Sequence, residues 1–202
     1  MKKLICLAAA ALLMLFCFTG CGNKNTTDGD TVSSNSSSGG ALNSMISDAA
    51  SNMSYSATDI INTVKAAYGS NYYPDTAMLE DRLNEEFPID KSLVKEIKAE
   101  MPTLGDNPDR LVAVVANEGK GSEVEAALNA AKTALISATP QGDESYAKVN
   151  TSRVVRNGDY VCYIMLGENK DTAGFSDSVK LDSARTEILK GVTAFESMFK
   201  TT

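Results

Sequence analysis

The chain has 202 residues, of which 43% are hydrophobic and 22% charged, with 19 Lys and Arg against 26 Asp and Glu for a net charge of −7. That balance repels phosphate backbones, and with no Lys/Arg-rich stripe to offset it locally, nucleic acid is not expected as a partner. There is no histidine, so Ser-His-Asp and Cys-His nucleophilic arrangements and the commonest zinc ligand are absent together.

The first 24 residues read MKKLICLAAAALLMLFCFTGCGNK. Lys2 and Lys3 precede an uncharged run of 15 residues, Leu4 to Phe18. A helix needs about 20 apolar residues to span a bilayer core, so the run has the length of a signal-peptide core rather than of an anchor. Phe18-Thr19-Gly20-Cys21 resembles a bacterial lipobox, with Phe18 where Leu is usual. The resemblance implies cleavage after residue 20 and a diacylglyceryl group on Cys21. The partner it implies first is therefore the membrane, reached through a palmitate-type anchor on the extracytoplasmic face. Two or more acyl chains give stable anchoring where one gives only marginal binding. Cys6 and Cys17 would leave with the signal, which makes Cys162 the one thiol of the mature chain and rules out an internal disulfide there. Loss of Lys2 and Lys3 takes the charge from −7 to −9.

Residues 22–41 hold 15 Gly, Ser, Thr or Asn among 20 positions. Such a stretch cannot bury enough apolar surface to offset its chain entropy and is expected to be a tether, with a root-mean-square reach of roughly 25 Å. A folded α+β domain is expected over 42–202. Leu42, Ile46, Ala49 and Met53 share a helical face. Ser56 and Asp59 have capping-box spacing before the stripe Ile60, Val64 and Tyr68, and Gly69 stands where a C-terminal cap belongs. After Tyr72-Tyr73-Pro74, the spacing predicts a third helix capped by Asp75, with Leu79, Leu83 and Phe87 buried and Pro88 as its stop. It also predicts a fourth helix, capped by Asp90, with Leu93, Ile97 and Met101 aligned and Pro102 closing it.

Leu111 to Ala116 is a valine-dominated apolar run and reads as a strand buried on both faces. Ser122 and Glu125 have capping-box spacing at the start of a helix whose stripe is Val124, Leu128, Ala131 and Leu135. Asn157-Gly158 is a hairpin signal between a polar strand, Ala147 to Arg156, and an apolar strand, Tyr160 to Leu166. Polarity puts the former at an edge and the latter between it and the Leu111 strand, antiparallel to both. A closing helix follows with Ala184, Ile188, Val192, Phe195 and Phe199. The expected architecture is a small three-stranded mixed sheet of β-α-β-β type packed with helices and preceded by N-terminal helices.

Few residues carry chemistry. Glu80, Asp81, Glu85 and Glu86 lie away from the apolar stripe of their helix and read as a solvated face. Asp28-Gly29-Asp30 is not a calcium loop, and no metal or cofactor is expected. Cys162, in the middle of an apolar strand, reads as a small hydrophobe. Glu118-Gly119-Lys120-Gly121-Ser122 leads from a strand into a helix N-terminus, so Lys120 and Ser122 are candidate anion-binding residues, although Glu118, Glu123 and Glu125 crowd the site with negative charge and a capped turn explains both glycines and the serine without a ligand. Tyr72 and Tyr73 are candidate contact residues for a peptide or glycan, and Tyr55, Tyr68 and Tyr146 sit near element ends; tyrosines so placed either form a contact surface or close the core.

The lipobox, the tether, Tyr73-Pro74, the Val-rich strand at 111–116 and Asn157-Gly158-Asp159-Tyr160-Val161 together resemble an uncharacterised family of small lipoproteins of clostridial Gram-positive bacteria, known as a domain of unknown function, over about residues 55–170. The resemblance implies no catalytic or binding residues. The expected function is a non-catalytic binding or interaction module with a protein, peptide or glycan partner. The alternatives are an accessory subunit of a membrane transport or envelope complex and, third, an envelope enzyme.

Overall fold

A computed structural model describes residues 54–103, 107–168 and 174–200. The signal sequence, Cys21, the tether and the helix read from Leu42 to Met53 lie outside the described residues. Five strands form one sheet in the order β1-β2-β3-β5-β4, every neighbouring pair antiparallel. They are β1 (Thr76–Ala77), β2 (Val94–Met101), β3 (Arg110–Ala116), β4 (Arg153–Asn157) and β5 (Tyr160–Met165). The α-helices are α1 (Ala57–Tyr68), α2 (Glu80–Glu86), α3 (Gly121–Ala138), α4 (Tyr146–Thr151) and α5 (Asp177–Ser197). The architecture is α+β as expected, but the sheet has five strands rather than three and is antiparallel rather than mixed.

Strand alternation divides the core in two. Leu111, Ala113 and Val115 of β3 face the same way as Cys162 and Ile164 of β5, into a cluster with Ile60 and Val64 of α1 and Ile188 and Phe195 of α5. Val112 and Val114, with Val161 and Tyr163, face the other way, onto Phe87 and onto Val124, Leu128 and Ala131 of α3. All seven residues of β3 are buried, which is why its sequence after Arg110 is apolar throughout instead of alternating.

The start of α1 is the predicted one: Ser56 Oγ accepts the Asp59 N–H at 3.1 Å, and Asp59 Oδ2 accepts the Ser56 N–H at 2.8 Å. Gly69 ends the helix at φ 54°. On the far side of β3, the expected pairing of β5 with an edge strand also stands, with Arg156 opposite Val161. The hairpin loop is Gly158-Asp159, one residue later than Asn157-Gly158, because Asn157 pairs with Tyr160.

Three expectations are corrected. Residues 94–101 form β2, not a fourth helix, and Asp90 caps only the 3₁₀ turn Lys91–Leu93 by accepting the Ser92 N–H. The spacing of four between Leu93, Ile97 and Met101 satisfies a strand's two-residue period as well as a helix's 3.6. A register shift between Val94 and Glu96 adds a three-residue step that looks helical. Next, Asp75 is no helix cap. Its Oδ1 accepts from the Thr103 N–H and Oγ at 2.7 and 2.8 Å, which ties β1 to the end of β2. The third helix therefore starts only at Glu80, with Leu79 78% exposed instead of buried. Finally, Lys148 and Asn150 belong to α4 and not to an edge strand. Polarity places only Arg153–Asn157 correctly at the edge.

Candidate functional site

β1, α2 and the 3₁₀ turn 91–93 form one excursion on the outer side of β2. β1 is two residues long and runs along β2 as far as Met78, whose N–H donates to Ala99 O at 2.9 Å. The chain then leaves the edge and turns into α2, which crosses the face of the sheet and returns through Phe87. Phe87 is buried and sets its ring against Tyr163 at 4.9 Å between centroids. Between α2 and β2 this leaves a half-open cavity of about 410 Å³, lined among others by Met78, Leu83, Phe87, Ile89, Val94 and Ile97. Its size falls in the range of ligand sites, and its wall is mostly apolar, as theirs are.

Two ion pairs hold α2 over the cavity. At its C-terminal end, Glu86 receives Arg110 Nε at 2.9 Å, Arg110 Nη2 at 3.4 Å and Arg82 Nε at 2.7 Å. Burial by itself would raise the pKa of Glu86, but the hydrogen bonds from Arg110 and Arg82 outweigh it and hold the carboxyl below its ordinary value. At the other end, Lys91 Nζ donates to Glu80 Oε1 across the cavity mouth, between two exposed side chains. That bond lowers the pKa of Glu80 and raises that of Lys91. Glu80 is the one carboxylate in the lining, so the wall offers no facing acid pair for general acid/base work. Nothing in the sequence pattern marks this cavity, because it exists only once 94–101 is a strand with α2 laid across it.

The sequence-derived candidates lie elsewhere. Tyr72 donates its hydroxyl to Glu100 Oε2 at 2.8 Å, and Lys65 Nζ stands 4.8 Å over its ring. Burial, followed by the neighbouring Glu100 carboxylate, pushes its pKa up. Tyr73 is 37% exposed. Tyr68 is buried, donating to Glu187 O at 3.0 Å and accepting the Gly191 N–H at 3.2 Å. Tyr55 packs edge-on against Tyr160 and Phe199 and donates to Met198 O. Tyr55, Tyr68 and Tyr72 therefore close the core, and Tyr73 is the one of the expected contact pair that reaches solvent. Tyr146 accepts from Asn150 Nδ2 at 3.3 Å within α4.

Lys120 and Ser122 follow the end of β3, whereas Tyr72 meets Glu100 of β2, which pairs with Leu111 at the start of β3. The two sets are thus at opposite ends of the strand. The Ser122/Glu125 capping box does not form at α3. Asp159 from the β4-β5 hairpin supplies the anion instead, its Oδ2 accepting the Gly119 N–H at 2.9 Å and its Oδ1 the Gly121 N–H at 3.0 Å. Lys120 Nζ pairs with Glu123 at 3.0 Å, and Ser122 is exposed. A Cβ on Gly121 would meet Gly158 O at 2.1 Å, so glycine is needed there for the hairpin to come this close. Cys162 is buried, and burial pushes its thiol pKa up, away from the thiolate.

Among the described residues no group of three or more Asp, Glu or Cys is placed to hold a metal ion, and no helix is long and apolar enough to cross a membrane. Residues 67–166 match the model of an uncharacterised family described as Domain of unknown function (DUF4358). The matched stretch runs from the end of α1 to just past β5 and so contains the whole sheet and every residue lining the cavity. No curated protein and no solved structure matches the chain.

Proposed function

We propose that this chain is a lipid-anchored, non-catalytic binding module on the extracytoplasmic face of the cell membrane, and that its partner docks in the groove between α2 and β2. The observation that carries the reading is the half-open apolar cavity of about 410 Å³ with a single carboxylate in its wall. A site of that size and polarity favours burying apolar groups and provides no paired groups to move protons. The N-terminal features support the anchor: Lys2-Lys3, the short apolar run and the lipobox-like Phe18-Thr19-Gly20-Cys21, followed by residues 22–41, whose Gly, Ser, Thr and Asn content is that of a linker.

Photo-crosslinking tests the reading. Asn84 is exposed and lines the groove, whereas Thr193 is exposed on α5, which packs on the other face of the sheet. A photoreactive residue at Asn84 of the full chain in native membranes is expected to give one discrete adduct that Thr193 does not give. Equal yields at both positions, or none at Asn84, would refute it.

A further inference from the structure

β1 ends at Ala77, and the last bond from its side to β2 is Met78 N–H to Ala99 O. In an antiparallel strand the N–H and C=O of every second residue point to the same side. Ala99 and Met101 both accept from the β1 side, so the N–H and C=O of Ile97 point that way too, with no strand beyond them among the described residues. From Val94 to Lys98 the outer edge of the sheet is therefore open for about 13 Å, the length of four to five extended residues. The groove opens onto this edge. Lys98 is part of its lining although the pairing of Lys98 with Ala113 turns the Lys98 side chain to the opposite face, which leaves the backbone at the edge as the part that borders the cavity.

Charge narrows the occupant. Lys95 and Lys98 are exposed on this edge, and neither makes an ion pair or side-chain hydrogen bond among the described residues, while Lys91 is held by Glu80. In a chain of net charge −7 these two lysines stand out. Glu96 and Glu100 of the same strand are engaged, by the Ala57 N–H and by Tyr72 and Lys65 respectively, so the charges this edge leaves unpaired are the two lysines. They favour a strand that carries carboxylates.

Resting on the groove as the binding site, we infer that its occupant is an extended acidic peptide segment of a partner protein. It adds as a further strand to the Val94–Lys98 edge, with one apolar side chain lowered between Phe87 and Ile97. Main-chain bonds supply affinity in this mode and the pocket supplies selectivity.

The test uses the full lipidated chain in detergent and a displayed library of linear eight-residue peptides. Enriched peptides are expected to carry an apolar residue flanked by Asp or Glu. They should bind at least tenfold more weakly when N-methylated at alternate positions, or when Lys95→Glu and Lys98→Glu are combined. A library without enrichment, peptides indifferent to N-methylation, or a dimer formed through β2 in light scattering overturns the inference. Indifference to N-methylation together with displacement by decanoate and an Asn84 adduct overturns the strand pairing alone and leaves the groove as a binding site. Absence of both peptide binding and the Asn84 adduct overturns both.

Discussion

Replacement of Lys148 by methionine perturbs an ion pair whose two residues are both buried. Lys148 Nζ, from α4, donates to Asp109 Oδ1 and to Gly167 O at 3.0 Å, and so clamps α4 to the segment entering β3 and the segment leaving β5. Asp109 is 0% exposed, and its Oδ2 has no hydrogen-bond partner. Removing the ammonium leaves a carboxylate without its counter-charge in the interior, which costs about 3–5 kcal/mol. For a domain of this size that corresponds to a fall in Tm of roughly 10 °C. Burial already raises the pKa of Asp109 above its ordinary 3.8, with the Lys148 charge opposing the shift. A carboxyl with a raised folded pKa contributes stability that is present below its unfolded value and lost as pH rises through the folded one. The penalty in Lys148→Met is therefore expected to be larger at pH 7 than at pH 4. Urea unfolding at the two pH values reads this, and the double variant Asp109→Leu/Lys148→Met should return to within about 1 kcal/mol of the parent, since neither charge of the pair is then left buried without the other. A single variant within about 1 kcal/mol of the parent at pH 7, or a double variant no better than the single, would refute the reasoning.

Three further outcomes are expected. Asp159→Ala should cost about 1–2 kcal/mol, by loss of the carboxylate that caps Gly119 and Gly121, and inorganic phosphate should then shift those two amides in NMR spectra while leaving them still in the parent; a neutral substitution would contradict the capping role. Glu86 has a lowered folded pKa, so its contribution is present above its ordinary 4.5 and lost as pH falls through the folded value; Glu86→Gln should flatten the acid limb of a stability-pH curve, and an unchanged limb would be evidence against the Arg110 pairing. Tyr72→Ala should lower Tm by several degrees through loss of packing and of the Glu100 bond, whereas Tyr73→Ala should leave it unchanged; equal effects would show that the two tyrosines share one role.

The elements most legible in the sequence are those whose local signals agree with their burial. Ser56, Asp59 and Gly69 bound α1 because the cap and the apolar stripe point the same way. β3 and β5 lie at the centre of the sheet, where an apolar run has one strand-like reading. The failures have a common cause in spacings or partners that only the tertiary structure resolves. Leu93, Ile97 and Met101 fit a helix or a strand, and the bulge near Lys95 tips the pattern to the wrong side. Ser122 and Glu125 have the spacing of a cap, but Asp159, 38 residues beyond Gly121, reaches the helix start first. Lys148 reads as an edge-strand lysine because nothing near it in sequence announces Asp109. The groove inherits these losses. With β2 read as a helix there is no edge for α2 to cross, and the residues that line it, from Ala77 to Ala99, read as two separate helices. Arg110 at the head of a buried strand needs an acidic partner, and Glu86 at the end of α2 is that partner.

The central claim is that the groove between α2 and β2 holds a partner at the membrane surface. Lys91 is exposed, lines the cavity and meets Glu80 across its mouth, so a Lys91→Trp side chain can fill the mouth without entering the core. The most direct measurement is the yield of the Asn84 photo-adduct in native membranes with and without Lys91→Trp, alongside the Tm of both proteins. The account predicts that the adduct disappears while the Tm stays within about 3 °C, as for a surface substitution that costs less than ~1 kcal/mol. An adduct that persists undiminished in the blocked protein would contradict it.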